Sequence, residues 1–158
     1  PGLTWPTTTF SDRMTVYLGK RRVDIMHLGR AHTAGDAVVW VPDQEVMFTG
    51  DIVFVGRLLG VLPFSNVKSW IAAFEAMAAY EPAHLVPGHG PATTLEQARA
   101  DTYDYLVNLR SRIGDLLDEG GDIMQAPEID QSAFARLDQF EMLAGRNAQA
   151  TFEQMEWE

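Results

Sequence analysis

The chain has no cysteine among its 158 residues. That excludes disulfides, a Cys zinc ligand, a Cys nucleophile and a thiolate-held iron–sulfur cluster. Long apolar runs are missing too. Nothing approaches the roughly 20 consecutive apolar residues that cross a bilayer as a helix, and no stretch has the charged, apolar and small-residue order of a signal peptide. The missing leader favours the cytoplasm as an expectation, although a Cys-free chain suits the cytosol and a bacterial periplasm alike. The chain opens Pro1-Gly2 without Met, so we expect a processed or excised piece of a longer product. Positive charge is scarce, with 12 Lys and Arg against 22 Asp and Glu. Residues 1–95 hold 7 basic and 8 acidic groups, net −1, whereas residues 96–158 hold 5 and 14, net −9. Such an acidic C-terminal third repels phosphate backbones and disfavours nucleic acid as a partner; it reads as a solvated helical face.

What is present is a globular composition, 46% hydrophobic, of a size for one domain. Up to residue 62 the pattern is strand-like. Thr7–Phe10, Met14–Leu18 and Arg21–Leu28 alternate apolar and polar around a Gly19-Lys20 turn. Ala37–Val41 and Val46–Thr49 are short apolar runs joined by Pro42-Asp43-Gln44-Glu45, a tight turn between two buried strands. After residue 64 the period changes. Val67, Trp70, Ile71, Phe74, Met77 and Ala78 recur at helical spacing behind Ser65-Asn66, an N-cap, and Glu81-Pro82 ends the run. His84–Val86 reads as a short strand. Thr93 and Thr94, with Glu96 and Gln97 three residues on, then open a longer helix whose buried face is Leu95, Ala98, Thr102, Leu106, Leu109, Ile113 and Leu116, and Gly120-Gly121 stops it. From Asp130 two shorter helical patterns follow, Phe134, Leu137, Phe140 and Leu143, then Ala148, Phe152 and Met155. No repeat or linker divides the chain, so it is expected to be a single domain over 1–158, with a core of about 7–118 and a helical acidic tail of about 121–158.

Three loops after apolar strands carry residues of the metal-binding type: Gly29–Asp36 with His32, Thr49-Gly50-Asp51, and Val86-Pro87-Gly88-His89-Gly90. A rigid sheet holds ligands at strand ends while the loops stay open to solvent. Imidazole and carboxylate suit zinc, iron or manganese, and a carboxylate can bridge two ions. Glycine beside each ligand lets the backbone turn sharply enough to aim it. The other two histidines, His27 and His84, read as structural. Arg57 follows Asp51 closely and reads equally well as a substrate-binding group or a solvated loop arginine.

Taken in order, His32-Thr33-Ala34-Gly35-Asp36 before an apolar strand, Thr49-Gly50-Asp51 closing the next, a helix, and Pro87-Gly88-His89-Gly90 resemble the second half of the metallo-β-lactamase fold superfamily. The resemblance covers roughly residues 7–118 and, more loosely, the tail. It implies an α+β fold: half of an αββα sandwich, a mixed sheet with helices on one face and a C-terminal helical extension. It implies that His32 serves one metal, His89 a second, and that Asp51 bridges them, with zinc, as one or two ions, the first expectation and iron or manganese also compatible. Family sites of this kind hydrolyse ester, thioester or lactone-type bonds with a metal-bound hydroxide as nucleophile. Asp51, His32 and, as a hydrogen-bonding group behind the ligands, Asp36 are the catalytic candidates. An Asp at position 51, where the best-known zinc β-lactamases have Cys, is more similar to the glyoxalase II and lactonase branches.

The His-x-His-x-Asp-His motif that supplies the rest of the family's ligands is absent, since the four histidines are His27, His32, His84 and His89. Three of the family's seven protein ligands remain, too few for a closed dinuclear site. The expectation is therefore a metal-dependent hydrolase whose chain, as it stands, is inactive alone. Two alternatives stay open: a non-catalytic, self-associating fold fragment binding at most one metal or none, and a mononuclear iron enzyme oxidising sulfur. Half a sandwich leaves a sheet face bare, and bare apolar faces associate. The expected partners are a small-molecule substrate and a second copy of the chain meeting across that face, without nucleic acid or membrane.

Overall fold

A computed structural model describes Gly2 and residues 4–158; Pro1, on which the reading of the start rests, lies outside them. Five strands form one mixed sheet in sequence order: β1 Arg13–Leu18, β2 Arg21–Met26, β3 Val38–Val41, β4 Val46–Phe54 and β5 His84–His89. The first three pairings are antiparallel and β4–β5 is parallel. Gly19, at φ 66°, makes the two-residue β1–β2 turn, where the first central position favours glycine. Helix α1, Val67–Ala78, crosses from β4 to β5, with Asn66 capping it by accepting from the Ser69 N–H at 2.8 Å. After β5 a helical run is built of α2 (Leu95–Ala98), a π-turn (Arg99–Tyr103) and α3 (Asp104–Asp118), and α4 spans Phe140–Met155. Thr94 caps the run by accepting from the Gln97 N–H. No helix among the described residues is long and apolar enough to cross a membrane.

Period-two alternation sorts the sheet into two faces. Asp24, Trp40, Met47 and Leu85 form a cross-strand row that is buried against the helices. On the opposite face Met14, Ile25, Val39, Phe48 and Val86 stand in one row across all five strands. That row is half-buried at best, and Phe48 is 44% exposed. The fold is thus α+β with one face of its sheet uncovered by helix.

Four boundaries differ from the sequence pattern. Thr7–Phe10 is not a strand; β1 begins at Arg13 and has β2 as its neighbour. Strand β4 does not stop at Thr49 but runs on to Phe54. Gly50, which reads as a terminator, sits at φ 51° inside the strand, in a bulge where the four steps from Gly50 to Phe54 match two on β5, from Pro87 to His89. Strand β5 likewise extends through His89. The two tail helices become a 3-10 turn, Ser132–Phe134, and the single helix α4. The break between them has a cause: Asp138 is held extended, its N–H donating to Gly56 O at 3.0 Å and its carbonyl accepting from Leu58 N–H at 2.8 Å. The tail is also part of the core rather than an appendage, since Phe134, Leu137, Ala144, Ala148 and Phe152 join the same buried cluster as Met47, Trp70 and Leu85.

Candidate metal centre

His32, Asp51 and His89 come from three separate segments and converge at the C-terminal ends of β4 and β5. His32 Nε2 lies 4.0 Å from one oxygen of Asp51 and His89 Nε2 lies 3.7 Å from the other. Each imidazole therefore addresses its own side of a single carboxylate. His32 is the most enclosed of the three at 15% side-chain exposure, against 39% for Asp51 and 40% for His89, so the cluster opens to solvent on one side.

The bulge explains why Asp51 leaves the ladder: between Gly50 and Phe54 β4 has two residues more than β5, and the surplus cannot pair. Gly88 lets β5 close onto that bulge. A Cβ there would strike Asp51 Oδ1 and stand 2.6 Å from Gly50 C and 2.8 Å from Asp51 N. On the far side of His89, Gly90 adopts φ 105° with its α-carbon turned onto Val55 O.

Aromatic rings back the imidazoles. His89 stacks on Phe54 at 4.7 Å between centroids, and His32 meets Phe54 at 5.7 Å and Trp70 at 5.5 Å. Phe54 and Trp70 are buried, and Trp70 Nε1 donates to Ile52 O at 2.9 Å. Phe54 is fixed in turn by Thr102 of the π-turn, whose hydroxyl accepts from Phe54 N–H at 3.0 Å and donates to Phe54 O at 2.7 Å. Its neighbour Asp101 accepts from Gly56 N–H, Gln97 Nε2 and Arg136 Nη2.

A short strap, residues 55–61, links the backbone of His89 to the ring of His32. Val55 N–H donates to the His89 carbonyl at 2.9 Å, and His32 Nδ1 lies 3.1 Å from Gly60 O. A carbonyl only accepts, so this contact places a proton on Nδ1 and turns Nε2 toward Asp51. The His32 loop is fastened from behind as well: buried Ser65 donates to His32 O at 2.7 Å, and Asn66 N–H donates to Ala31 O at 3.1 Å.

The remaining candidates stand apart. Both oxygens of Asp36 are taken by Thr33, from N–H at 2.7 Å and from Oγ1 at 2.6 Å; it fastens its own loop instead of backing the imidazoles. His27 Nδ1 lies 2.8 Å from Asp36 O, and His84 is exposed at the start of β5. Arg57 is half-buried and bridged by its backbone to Asp138. Spacing marks Trp70 only as part of a buried helix face, and gives no sign of Phe54, Gly60 or Asp101. Thr102 carried one clue, a hydroxyl among the apolar residues of a buried helix face.

The donors fit a metal in kind but not in number. Imidazole nitrogen and carboxylate oxygen suit zinc, and tetrahedral bonds of about 2.1 Å set neighbouring donors about 3.4 Å apart, near the 3.7 Å seen at His89 and shorter than the 4.0 Å at His32. Yet each side of the carboxylate receives one imidazole, and among the described residues no group of three or more His, Asp or Glu side chains could hold an ion. The arrangement supplies two imidazoles and one carboxylate.

Residues 5–89 match the family model described as Metallo-beta-lactamase superfamily. Among curated proteins, the acyl-coenzyme A thioesterase MBLAC2 of Bos taurus is 30% identical over 88 residues, 53% of this chain and 31% of that protein. The metallo-beta-lactamase type 2 of Bacteroides fragilis is 29% identical over 93 residues, 56% of this chain and 37% of that one. Among solved structures, a metallo-beta-lactamase from Pontibacter korlensis superposes with a TM-score of 0.60 at 29% identity, covering 65% of this chain and 49% of its own. The matches thus span about a third of the curated relatives' length and about half of that solved chain.

Proposed function

Because the chain belongs to the metallo-β-lactamase superfamily, we propose that it carries half of the catalytic centre of a metal-dependent hydrolase acting on an ester, thioester or lactone-type bond. The observation that carries this reading is the aim of His32 and His89 at opposite oxygens of Asp51. Zinc is the first choice of metal. His32, His89 and Asp51 would be the residues that hold it. Metal held there would supply Lewis acidity toward a carbonyl and bring the pKa of a water toward about 7. Gly60 O keeps the His32 proton on Nδ1, Phe54 and Trp70 keep water from behind the imidazoles, and Asp51 faces incoming substrate. A thioester leads the substrate classes because a relative named as an acyl-coenzyme A thioesterase shares 30% of residues over the matched stretch.

The donor count favours a second reading for the 158-residue chain taken singly: a catalytically silent fold. We propose that the further donors come from a second copy seated on the bare face of the sheet, since two copies together bring four imidazoles and two carboxylates. The test is elemental analysis and zinc titration of the purified protein, with His32→Ala, Asp51→Asn and His89→Ala beside it. Each substitution is expected to lower zinc affinity at least tenfold, on the order known for altered metal sites, and hydrolysis of a thioester by the metal-loaded protein is expected to vanish in Asp51→Asn. Zinc uptake indifferent to all three substitutions would overturn the assignment.

A further inference from the structure

Gly60, whose carbonyl faces His32 Nδ1, is a weak point by composition. A Cβ there would meet nothing within 4 Å, so no neighbour's bulk restrains it, and glycine is the residue with most backbone freedom. The restraint comes from 86 to 88 residues away along the chain. Asn147 of α4, 1% exposed, accepts from Val61 N–H through Oδ1 at 2.8 Å and donates from Nδ2 to Leu59 O at 2.8 Å. A backbone N–H only donates and a carbonyl only accepts, so the amide can sit in one orientation. One side chain thus grips the residues on both sides of Gly60. It is itself held: Nδ2 also donates to Tyr105 Oη at 2.9 Å, Tyr105 donates to Gln131 Oε1 at 2.9 Å, and Gln131 Nε2 donates to Ala144 O at 3.0 Å. Satisfied buried networks of this kind fix one geometry.

We propose that Asn147 is a positioning residue for His32: by clamping Leu59 and Val61 it fixes the Gly60 carbonyl, and so holds the His32 ring by its Nδ1 with Nε2 toward Asp51. The proposal deepens the metal-centre reading and rests on it for its functional meaning. It makes α4, which lies outside the stretch matched by the family model, a working part of the site.

The test reads the ring nitrogens of His32 by two-bond proton–nitrogen correlation in the metal-free 158-residue chain, in alkaline buffer. In the native chain Nδ1 is expected to be protonated and Nε2 bare. In Asn147→Ala the two nitrogen shifts are expected to converge as the tautomers average, with zinc affinity falling about tenfold. Tyr105→Phe is the control: it breaks the network without touching Leu59 or Val61, and should lower the thermal midpoint while leaving the His32 shifts in place. Should Asn147→Ala fail to fold, Asn147→Asp, which keeps the bond from Val61 and loses the one to Leu59, is expected to show partial averaging. A folded Asn147 variant with native His32 shifts, or equal averaging in Tyr105→Phe, would overturn the proposal. Averaging without any zinc binding by the native chain would leave the proposal standing and remove the metal reading instead.

Discussion

Gly88 and Gly90 flank His89 for different physical reasons, and the difference is testable. At Gly88 the obstacle is contact: an added methyl meets the backbone of Gly50 and Asp51 as well as the Asp51 carboxylate, and none of these can move without moving the bulge. Gly88→Ala is therefore expected to cost about 1–3 kcal/mol, the usual range for forced overpacking, and to weaken zinc binding because Asp51 is displaced. Urea unfolding and zinc titration on the same variant check both halves; a native urea midpoint would mean that the two strands are further apart than described. At Gly90 the obstacle is conformation, φ 105°, together with the close approach to Val55. The three residues that converge here were legible in the sequence because each has glycine close by after an apolar run, although Asp51 and His89 lie within β4 and β5 and not in loops. The residues that aim them were not, since a stacking ring such as Phe54 or a carbonyl such as Gly60 O has no signature beyond being apolar or small.

Helix α4 illustrates at the level of an element what pattern can and cannot give. Its apolar positions were visible, but its start was not, because the break at Asp138 is imposed by bonds to Gly56 and Leu58, some eighty residues away. The same limit applies to β4, where Gly50 ends the local pattern while Ile52, Val53 and Phe54, buried in the core, carry the strand on. The end of α4 is clipped by charge. Glu158 accepts from Arg110 of α3 at 2.7 and 3.1 Å and from Lys68 of α1 at 3.3 Å. The bond from Arg110 is the main cause that holds the Glu158 carboxyl below its usual range; burial opposes it, and Lys68 adds to it. With the folded value depressed, the unfolded chain takes up the proton first as pH falls. The stabilisation is whole above the ordinary value near 4.5 and is lost as pH falls through the depressed one. Amide exchange in the last turn of α4 is therefore expected to be faster at pH 3 than at pH 6, relative to the intrinsic rates. Glu158→Gln should show the faster behaviour at both pH values; a Gln variant that keeps the native pH difference would assign the effect to another group.

At the scale of the whole molecule the decisive feature is the row Met14, Ile25, Val39, Phe48 and Val86, apolar on every strand and uncovered. Exposed apolar faces of this extent drive association, and an apolar face is complementary to itself without any matching of charge. A twofold axis between two such sheets, parallel to β4, keeps both copies of that strand running the same way. The ends that carry Asp51 and His89 would then meet at one end of the pair, where the proposed metal site would gain its further donors. Light scattering on the eluting protein is therefore expected to give twice the chain mass of 17.6 kDa. Phe48→Glu, which sets a charge in the middle of the row, should return single copies and reduce zinc bound per chain together with the mass. A native peak at 17.6 kDa, or a pair that survives Phe48→Glu with its zinc intact, would separate the bare face from the half-centre and leave this pairing without support.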